Sequence, residues 1–366
     1  MGPETLRTSK REVFGVGRGS LGIQRIRGMD LLERARPDCP PGRVATGYFG
    51  GMRLGVLDIG SNTGHLLVVD AHDGAAPLPA YSYKQPLRLA EHLDADGNVS
   101  PTGIDALTSF TAEALVVAEE KGCEDMLSFA TSAVRDAGNS EDVLTHVRDR
   151  TGVEISVLSG EDEARLTFLA VRRWFGWSAG RLIVFDIGGG SLEIAAGSDE
   201  RPDVAQSLPL GAARLATRYF GQRLEGVGED GLRQIRRQIR ADLAKDAGQV
   251  LRAGSTHRAA ATSKTFRSLA RICGAAPSGE GPLTPRALPL DELRRWIPKL
   301  VEMTPAELAA LPGVSPSRTH QIVPGALVAE ACMDIFDEDR LEICPWALRE
   351  GVILETIDKL SVADEV

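Results

Sequence analysis

One short pattern occurs twice in this chain and limits the folds open to it more than any other feature. An apolar run, Leu54-Gly-Val-Leu, ends in Asp58 and is followed by an Ile-Gly turn and a second apolar run. The same order returns at Leu182-Ile-Val-Phe-Asp186, with the two aspartates 128 residues apart. Strand, turn and strand predict a β-hairpin with a glycine-rich tip. Two copies at domain-sized spacing indicate an internal duplication, and two unrelated hairpins with glycine turns are the alternative.

The length sets the domain organisation. At about 100–200 residues per domain, 366 residues predict two domains. Alternating strands and helices predict an α/β fold with a largely parallel or mixed sheet in each. We place domain I at residues 52–177 and domain II at residues 178–366. Residues 1–51, which are rich in Gly, Arg and Pro, are expected to form a poorly ordered extension. An apolar helix over residues 322–335 is expected to break near its start, at a Pro-Gly pair.

Composition bears on partners and location. The formal net charge of −9 argues against general nucleic-acid binding, although a local basic cleft can still bind a polyanion. The five cysteines are widely spaced and include no C-x-x-C pair, which fits a reducing cytoplasm. No apolar run approaches the ~18 residues of a membrane span, and no signal-peptide pattern is present. We therefore expect a cytoplasmic protein without membrane or nucleic-acid partners.

The two glycine-rich turns expose backbone N–H groups that can cradle phosphate oxygens. The residues expected to bind phosphate there are Ser61, Asn62, Thr63, Gly188, Gly189, Gly190 and Ser191. A carboxylate beside a phosphate needs a cation between them. Asp58 and Asp186, at the mouths of the turns, therefore predict a hard divalent metal, Mg²⁺ or Mn²⁺. Glu193 is expected to point into the same cleft because side chains alternate along a strand.

Further candidates follow strand ends. Arg135 and Lys264 each come shortly after a strand that ends in Thr-Ser, at the edge where open α/β sheets place ligands. A helix cap with a surface charge is the alternative for both. Glu163 lies in an acidic first turn, Glu161-Asp-Glu, where one carboxylate can orient or deprotonate a water. Acidic residues also suit the helix dipole at this position, which is the competing explanation.

These segments occur in the order typical of one family. The chain resembles the exopolyphosphatase/guanosine-pentaphosphate phosphohydrolase (Ppx/GppA) family, and the resemblance covers about residues 52–360. It rests on Asp58-Ile-Gly-Ser-Asn62, Ala130-Thr-Ser-Ala-Val-Arg135, Ser159-Gly-Glu-Asp-Glu-Ala-Arg-Leu-Thr167 and Asp186-Ile-Gly-Gly-Gly-Ser-Leu-Glu193. The short, two-domain actinobacterial exopolyphosphatases look most similar. The resemblance implies two ribonuclease-H-like domains of the actin/sugar-kinase/heat-shock-70 superfamily, with the active site in the cleft between them.

The resemblance also implies roles for individual residues. They are Glu163 as catalytic glutamate, Arg135 as phosphate-facing arginine, Asp186 and Glu193 as metal-associated acids, and Asn62 with residues 188–191 as phosphate-loop positions. His65 stands where the family frequently has arginine. The implied reaction is metal-assisted water attack that releases terminal orthophosphate from inorganic polyphosphate. Three alternatives stay open: hydrolysis of guanosine pentaphosphate (pppGpp), a superfamily kinase or ATP-driven chaperone, and a non-catalytic sensor. A homodimer is expected.

Overall fold

The computed structural model of the chain describes residues 23–26, 52–72, 74–94, 96–220 and 228–363. Its strands are β1 (Ile23–Arg25), β2 (Met52–Ile59), β3 (Thr63–Ala71), β4 (Pro79–Pro86), β5 (Asp125–Ala130), β6 (Ser156–Val157), β7 (Leu182–Ile187), β8 (Leu192–Gly197), β9 (Val204–Leu208), β10 (Arg258–Thr262), β11 (Ala287–Pro289) and β12 (Arg340–Ile343). Its α-helices are α1 (Pro101–Glu120), α2 (Ser132–Arg135), α3 (Ser140–Thr151), α4 (Gly160–Phe175), α5 (Ala212–Leu215), α6 (Glu229–Arg252), α7 (Ser263–Ile272), α8 (Leu290–Glu302), α9 (Pro305–Ala310), α10 (Thr319–Ile335) and α11 (Leu348–Ala363).

The strands form two six-stranded sheets that share the topology of five of their strands. In the first sheet, β2, β3 and β4 are antiparallel neighbours, β5 runs parallel to β2, and β6 runs parallel to β5. In the second, β7, β8 and β9 repeat the antiparallel meander, with β10 parallel to β7 and β12 parallel to β10. Each sheet gains one further antiparallel strand, β1 on β5 and β11 on β12. The predicted duplication and the pair of ribonuclease-H-like domains are confirmed.

Local chemistry explains where the helices begin and end. Ser100 caps α1 by accepting a hydrogen bond from the Gly103 N–H (3.4 Å), and Pro101 occupies the first helical position. Ser159 caps α4 in the same way, with its hydroxyl accepting from the Asp162 N–H (3.0 Å). At the other end of a helix, α3 stops where Gly152 takes up a left-handed conformation (φ 73°). The start of α4 is therefore fixed, and that fixes the position of the acidic turn.

Two helices cover the sheet of the other domain. The first-sheet residues Leu54 and Val56 pack in one apolar cluster with Val352 and Ile353 of α11. Conversely, α4 follows the strands of domain I in the sequence but lies on the second sheet. There, Phe168 and its neighbours on α4 pack against β7 and β8. β2 to β6 lie within residues 52–177 and β7 to β12 within 178–366. By packing, α4 therefore belongs with the second sheet and α11 with the first, and we call these two the exchanged helices. The packing boundary between the domains thus differs from the predicted chain boundary, which follows α4.

The predicted N-terminal extension over residues 1–51 lies mostly outside the described residues. Within it, Ile23–Arg25 forms β1 and pairs with β5, which sequence reasoning had not assigned to domain I. Across the part of the chain that the structure describes, no helix is both long and apolar enough to span a membrane.

Candidate active site

The two glycine-rich turns are built alike and meet in the cleft between the domains. The Gly60 N–H donates to the Thr63 carbonyl (3.0 Å), and the Gly188 N–H donates to the Ser191 carbonyl (2.9 Å). A methyl group on Gly189 would lie 2.9 Å from Ser61 Cβ, closer than a side chain allows. Glycine is therefore needed there so that the turn of domain II can approach the turn of domain I.

Side chains of both turns are tied to their surroundings. The Ser61 hydroxyl lies 3.2 Å from that of Ser132. The Asn62 side-chain oxygen accepts from Gln321 Nε2 of domain II (2.9 Å). The Gly188 and Gly189 carbonyls accept N–H groups from the start of α5 (3.0 and 2.9 Å). Holding these carbonyls on the α5 side leaves the N–H groups of the second turn for the cleft.

The strand register continues the similarity across each sheet. Directly opposite residues form the row Asp58, His65 and Lys84 in the first sheet and the row Asp186, Glu193 and Ser207 in the second. Opposite residues of an antiparallel pair point to the same face, so each row presents its side chains together. The two copies thus place an aspartate at the same point but differ in the next two residues.

The acids of the second row have raised pKa values, and Arg267 and Arg135 offset only part of the shift. Burial raises the pKa of Asp186 to about 6 and, with repulsion from Asp186, the pKa of Glu193 to about 7. The Ser207 hydroxyl donates to Glu193 (2.8 Å). Among the described residues, neither acid has an Arg or Lys partner at ion-pair distance. Two neighbouring carboxylates without an ion-pair partner are the donor chemistry that a hard divalent cation needs.

Asp58 faces the same region from domain I. Burial raises its pKa to about 6, and the nearest cation, Arg349 Nε, is 3.8 Å from its carboxylate. Within the described residues, no group of three or more His, Cys, Asp and Glu side chains forms a closed metal cage. A Mg²⁺ ion fits this arrangement, because Mg²⁺ is commonly held by one or two carboxylates, with waters and substrate phosphate completing its shell.

Glu163 and Glu161 of the acidic helix turn both lie beside Arg135 at the cleft, Glu161 on its exposed side. The Glu163 side chain is buried and accepts from Arg135 Nη1, which also donates to the Leu158 carbonyl (3.2 Å). Burial and repulsion from Glu193 raise the pKa of Glu163 well above its ordinary value, and Arg135 opposes the shift. By contrast, Asp162 accepts from the Ser159 hydroxyl (2.7 Å) at the helix cap. Asp162 therefore takes part in the helix cap, whereas Glu163 contacts Arg135 at the cleft.

Four side chains form what we call the cation cluster: Lys84 on β4, Lys264 and Arg267 on α7, and Arg318 just before α10. Burial and the neighbouring cations lower the pKa of Lys84 and Lys264. Burial and Arg267 lower the pKa of Arg318. In the described part of the chain, none of the four forms an ion pair. Lys264 donates to the Gly313 carbonyl (3.0 Å), which places it in this cluster and not at the glycine turns.

Sequence reasoning missed two charged residues beside the second turn. Asp136 accepts from Arg135 Nε (3.1 Å) and from Arg214 Nη2 of domain II. Arg214 Nε also donates to the Gly190 carbonyl (2.8 Å). The position of Asp136 directly after Arg135 in the sequence could have indicated the contact between the two. Nothing in the sequence indicated Arg214, since the domain contact brings it there.

Comparisons with known proteins identify the family of this chain. Residues 67–360 match the model of the Ppx/GppA phosphatase family. The chain is 55% identical over 307 residues to Exopolyphosphatase 1 of Mycobacterium tuberculosis, covering 84% of this chain and 89% of that protein. A crystal structure of an exopolyphosphatase from Cytophaga hutchinsonii superposes with a TM-score of 0.73 at 22% identity, covering 84% of this chain and 98% of that one. An Aquifex aeolicus PPX-GPPA enzyme superposes with a TM-score of 0.69 at 24% identity, covering 83% and 99%.

At their low identity, the two solved structures support the fold alone. The family match spans most of the chain and includes the acidic turn of α4 and the second glycine-rich turn. The mycobacterial relative covers 84% of the chain at more than half identity. This chain therefore belongs to the Ppx/GppA phosphatase family.

Proposed function

We propose that this protein is an exopolyphosphatase that releases terminal orthophosphate from inorganic polyphosphate. One observation carries the proposal: a cleft that holds Asp186 and Glu193 also gathers four cations, and none of these six side chains forms an ion pair among the described residues. The acids fit a divalent metal, and the cations fit a chain of repeated negative charges. The family and the name of the mycobacterial relative support the same activity.

The residues divide the work of phosphoryl transfer. The cation cluster binds the phosphate chain, and the N–H groups of both turns hold its terminal phosphoryl group. Asp186 and Glu193 would hold Mg²⁺ or Mn²⁺, which would supply positive charge against the phosphate oxygens when bound, while Asp58 adds a negative charge from domain I. Glu163 orients a water and accepts its proton as the water oxygen attacks the terminal phosphorus. The bridging P–O bond breaks, leaving orthophosphate and a shortened chain.

The guanosine alternative uses the same anion chemistry, because pppGpp also presents a terminal phosphate on a short phosphate chain. The measurement that separates the substrates is phosphate release, with Mg²⁺, from tripolyphosphate, long polyphosphate, pppGpp and ATP compared at equal concentration. We expect the fastest turnover on polyphosphate. The homodimer and the cytoplasmic location stay predictions, and sedimentation velocity tests the first.

The substitution Glu163→Gln tests the mechanism, because it removes the proton acceptor and keeps the shape. We expect kcat to fall by about 10²–10⁴-fold, the range typical of a general base. Glu161→Gln is the matched control: it makes the same chemical change in the same helical turn, but Glu161 is exposed. Near-normal turnover in Glu163→Gln, or an equal loss in both variants, would remove Glu163 from the mechanism.

A further inference from the structure

Four charged side chains alternate in sign across the mouth of the cleft. Glu163 accepts from Arg135, Arg135 donates to Asp136, and Asp136 accepts from Arg214. The first three belong to domain I and its connecting helix, and the last belongs to domain II. Arg214 reaches onward to the Gly190 carbonyl (2.8 Å), so the row ends on the phosphate-binding turn. The acid of the mechanism and the second turn are therefore linked by one continuous row of contacts.

The contacts of Arg135 leave one edge of its guanidinium free. Nη1 donates to Glu163 and to the Leu158 carbonyl, and Nε donates to Asp136 Oδ1 (3.1 Å). Nη2 has no acceptor among the described residues. A phosphate oxygen is a good acceptor for such an edge, because guanidinium matches phosphate geometry. Arg135 can thus bind the terminal phosphoryl group while it keeps its contacts on the protein side.

Asp136 decides where that free edge points. One of its oxygens holds Arg135 and the other holds Arg214, so each domain supplies one of its partners. Without this carboxylate, Glu163 would be the remaining ionic partner of Arg135. The guanidinium would then be drawn toward the base and away from the phosphate. Asp136 and Arg214 are each more than a third exposed, and exposed ion pairs contribute little to stability. The effect should accordingly appear in catalysis more than in folding.

We infer that Asp136 is a positioning residue, which holds Arg135 toward the terminal phosphoryl group and, through Arg214, couples that position to closure of the second turn. The inference rests on the proposed function. It deepens that proposal because it assigns a role to two residues that touch neither the metal-binding acids nor the attacking water.

The kinetic test uses Asp136→Asn, Arg214→Gln and the double variant, with tripolyphosphate and Mg²⁺. We expect each single substitution to lower kcat about tenfold or more, the scale of one lost charge-assisted hydrogen bond. KM should change less, because the cation cluster still binds the chain. The kcat of the double variant should lie within about twofold of that of the poorer single variant, since both substitutions break the same bridge between Asp136 and Arg214. Asp136→Glu should recover part of kcat, which a purely structural loss would not allow.

The matched control is Asp149→Asn. Asp149 also pairs with the arginine that precedes it, Arg148 (3.2 Å), but it lies exposed on α3. It should leave kcat and KM unchanged. A second readout needs no turnover: hydrogen–deuterium exchange of residues 188–191 should be faster in Asp136→Asn and Arg214→Gln than in wild type and in Asp149→Asn.

The outcomes separate the two proposals. Wild-type kcat in Asp136→Asn, or additive losses in the double variant, would overturn the positioning role. Unchanged exchange of residues 188–191 in both bridge variants would overturn the coupling to the second turn. If wild-type protein released no phosphate from any tested substrate, the proposed function would fail, while the exchange data would still decide the bridge. If Asp136→Asn did not fold, Arg214→Gln would decide from the other end of the same contact.

Discussion

The exchanged helices cross where α11 carries a glycine, and that crossing is open to a direct test. A methyl group on Gly351 would lie 1.9 Å from the Leu166 carbonyl oxygen of α4 and 2.6 Å from its carbonyl carbon. Both atoms belong to the backbone, so no side-chain rotation relieves the clash. Carbon and carbonyl oxygen need about 3.3 Å between them, so Gly351→Ala must separate the two helices locally by about 1.4 Å.

The cost follows from what the two helices carry. Overpacking of a tight interior costs about 1–3 kcal/mol, and a clash between backbones belongs at the upper end, about 3 kcal/mol. In a chain of this size, that lowers the melting temperature by about 4 °C. Because α4 also carries Glu163, the same displacement moves the proposed base. Misplacement by about 1 Å can reduce turnover 10²-fold, so we expect kcat to fall as well.

Thermal unfolding and phosphate release measure the two effects. Gly279→Ala is the control, because Gly279 has no atom within 4 Å of the added methyl group and no left-handed backbone. We expect that variant to match wild type in both measurements. If Gly351→Ala melted and turned over like the control, the crossing would not be as tight as the structure has it, and the dependence of the site on this contact would be refuted.

Two further predictions concern charge. Because the pKa values of Asp58, Asp186 and Glu193 are raised to about 6, 6 and 7, these three groups bind more protons in the folded metal-free protein than in the unfolded chain between about pH 4 and 7, and their contribution to its stability should fall as pH rises through that range. Added Mg²⁺ should therefore raise the melting temperature more at pH 8 than at pH 5 after chelation, and an equal rise at both would contradict this. Arg318→Met and Lys84→Met should each raise KM for long polyphosphate about fivefold and reduce its dependence on salt, with kcat nearly unchanged; an unaltered salt dependence would speak against the cation cluster as the chain-binding surface.

The repeated pattern was enough to predict the architecture, because a strand that ends in Asp-Ile-Gly has few ways to turn. It could not predict the exchange of α4 and α11. An amphipathic helix indicates that one face is covered, but not which sheet covers it. Leu166 and Phe168 lie two residues apart on α4, and they belong to the clusters of the first and second sheets, respectively. The sequence alone does not show that α4 packs on one sheet through Leu166 and on the other through Phe168.

The break predicted near the start of α10 was wrong. The helix runs unbroken from Thr319 to Ile335 through Pro324. Proline lacks the N–H that would donate to the carbonyl four residues back. Near the start of α10 this removes one helical hydrogen bond, and the helix continues. Gly325 serves packing: a methyl group there would lie 2.5 Å from Thr265 Cγ2 of α7. Proline and glycine in succession indicate a break only where nothing else requires them.

The site was readable from the sequence where one segment carries its own chemistry. Glu163 and the glycine turns belong to this class. Asp136 and Arg214 do not, because 78 positions separate them and their contact forms between domains. The same holds for Lys84 and Arg318, each of which would be an ordinary surface cation in an isolated domain. Residues that are brought together only by the contact between domains leave no local pattern in the sequence.

The divergence of the two copies explains why the proposed reaction takes place at a chain end. The row from Asp58 in the first copy continues to Lys84, and the row from Asp186 in the second continues to Glu193 and Ser207. The first wall therefore contributes Lys84 to the cation cluster, and the second contributes the other three cations together with the acids Asp186 and Glu193. Two identical walls would bind a phosphate chain the same way in both directions. Unlike walls give the cleft a direction, so that the chain lies along the cations and only its last phosphoryl group reaches the base.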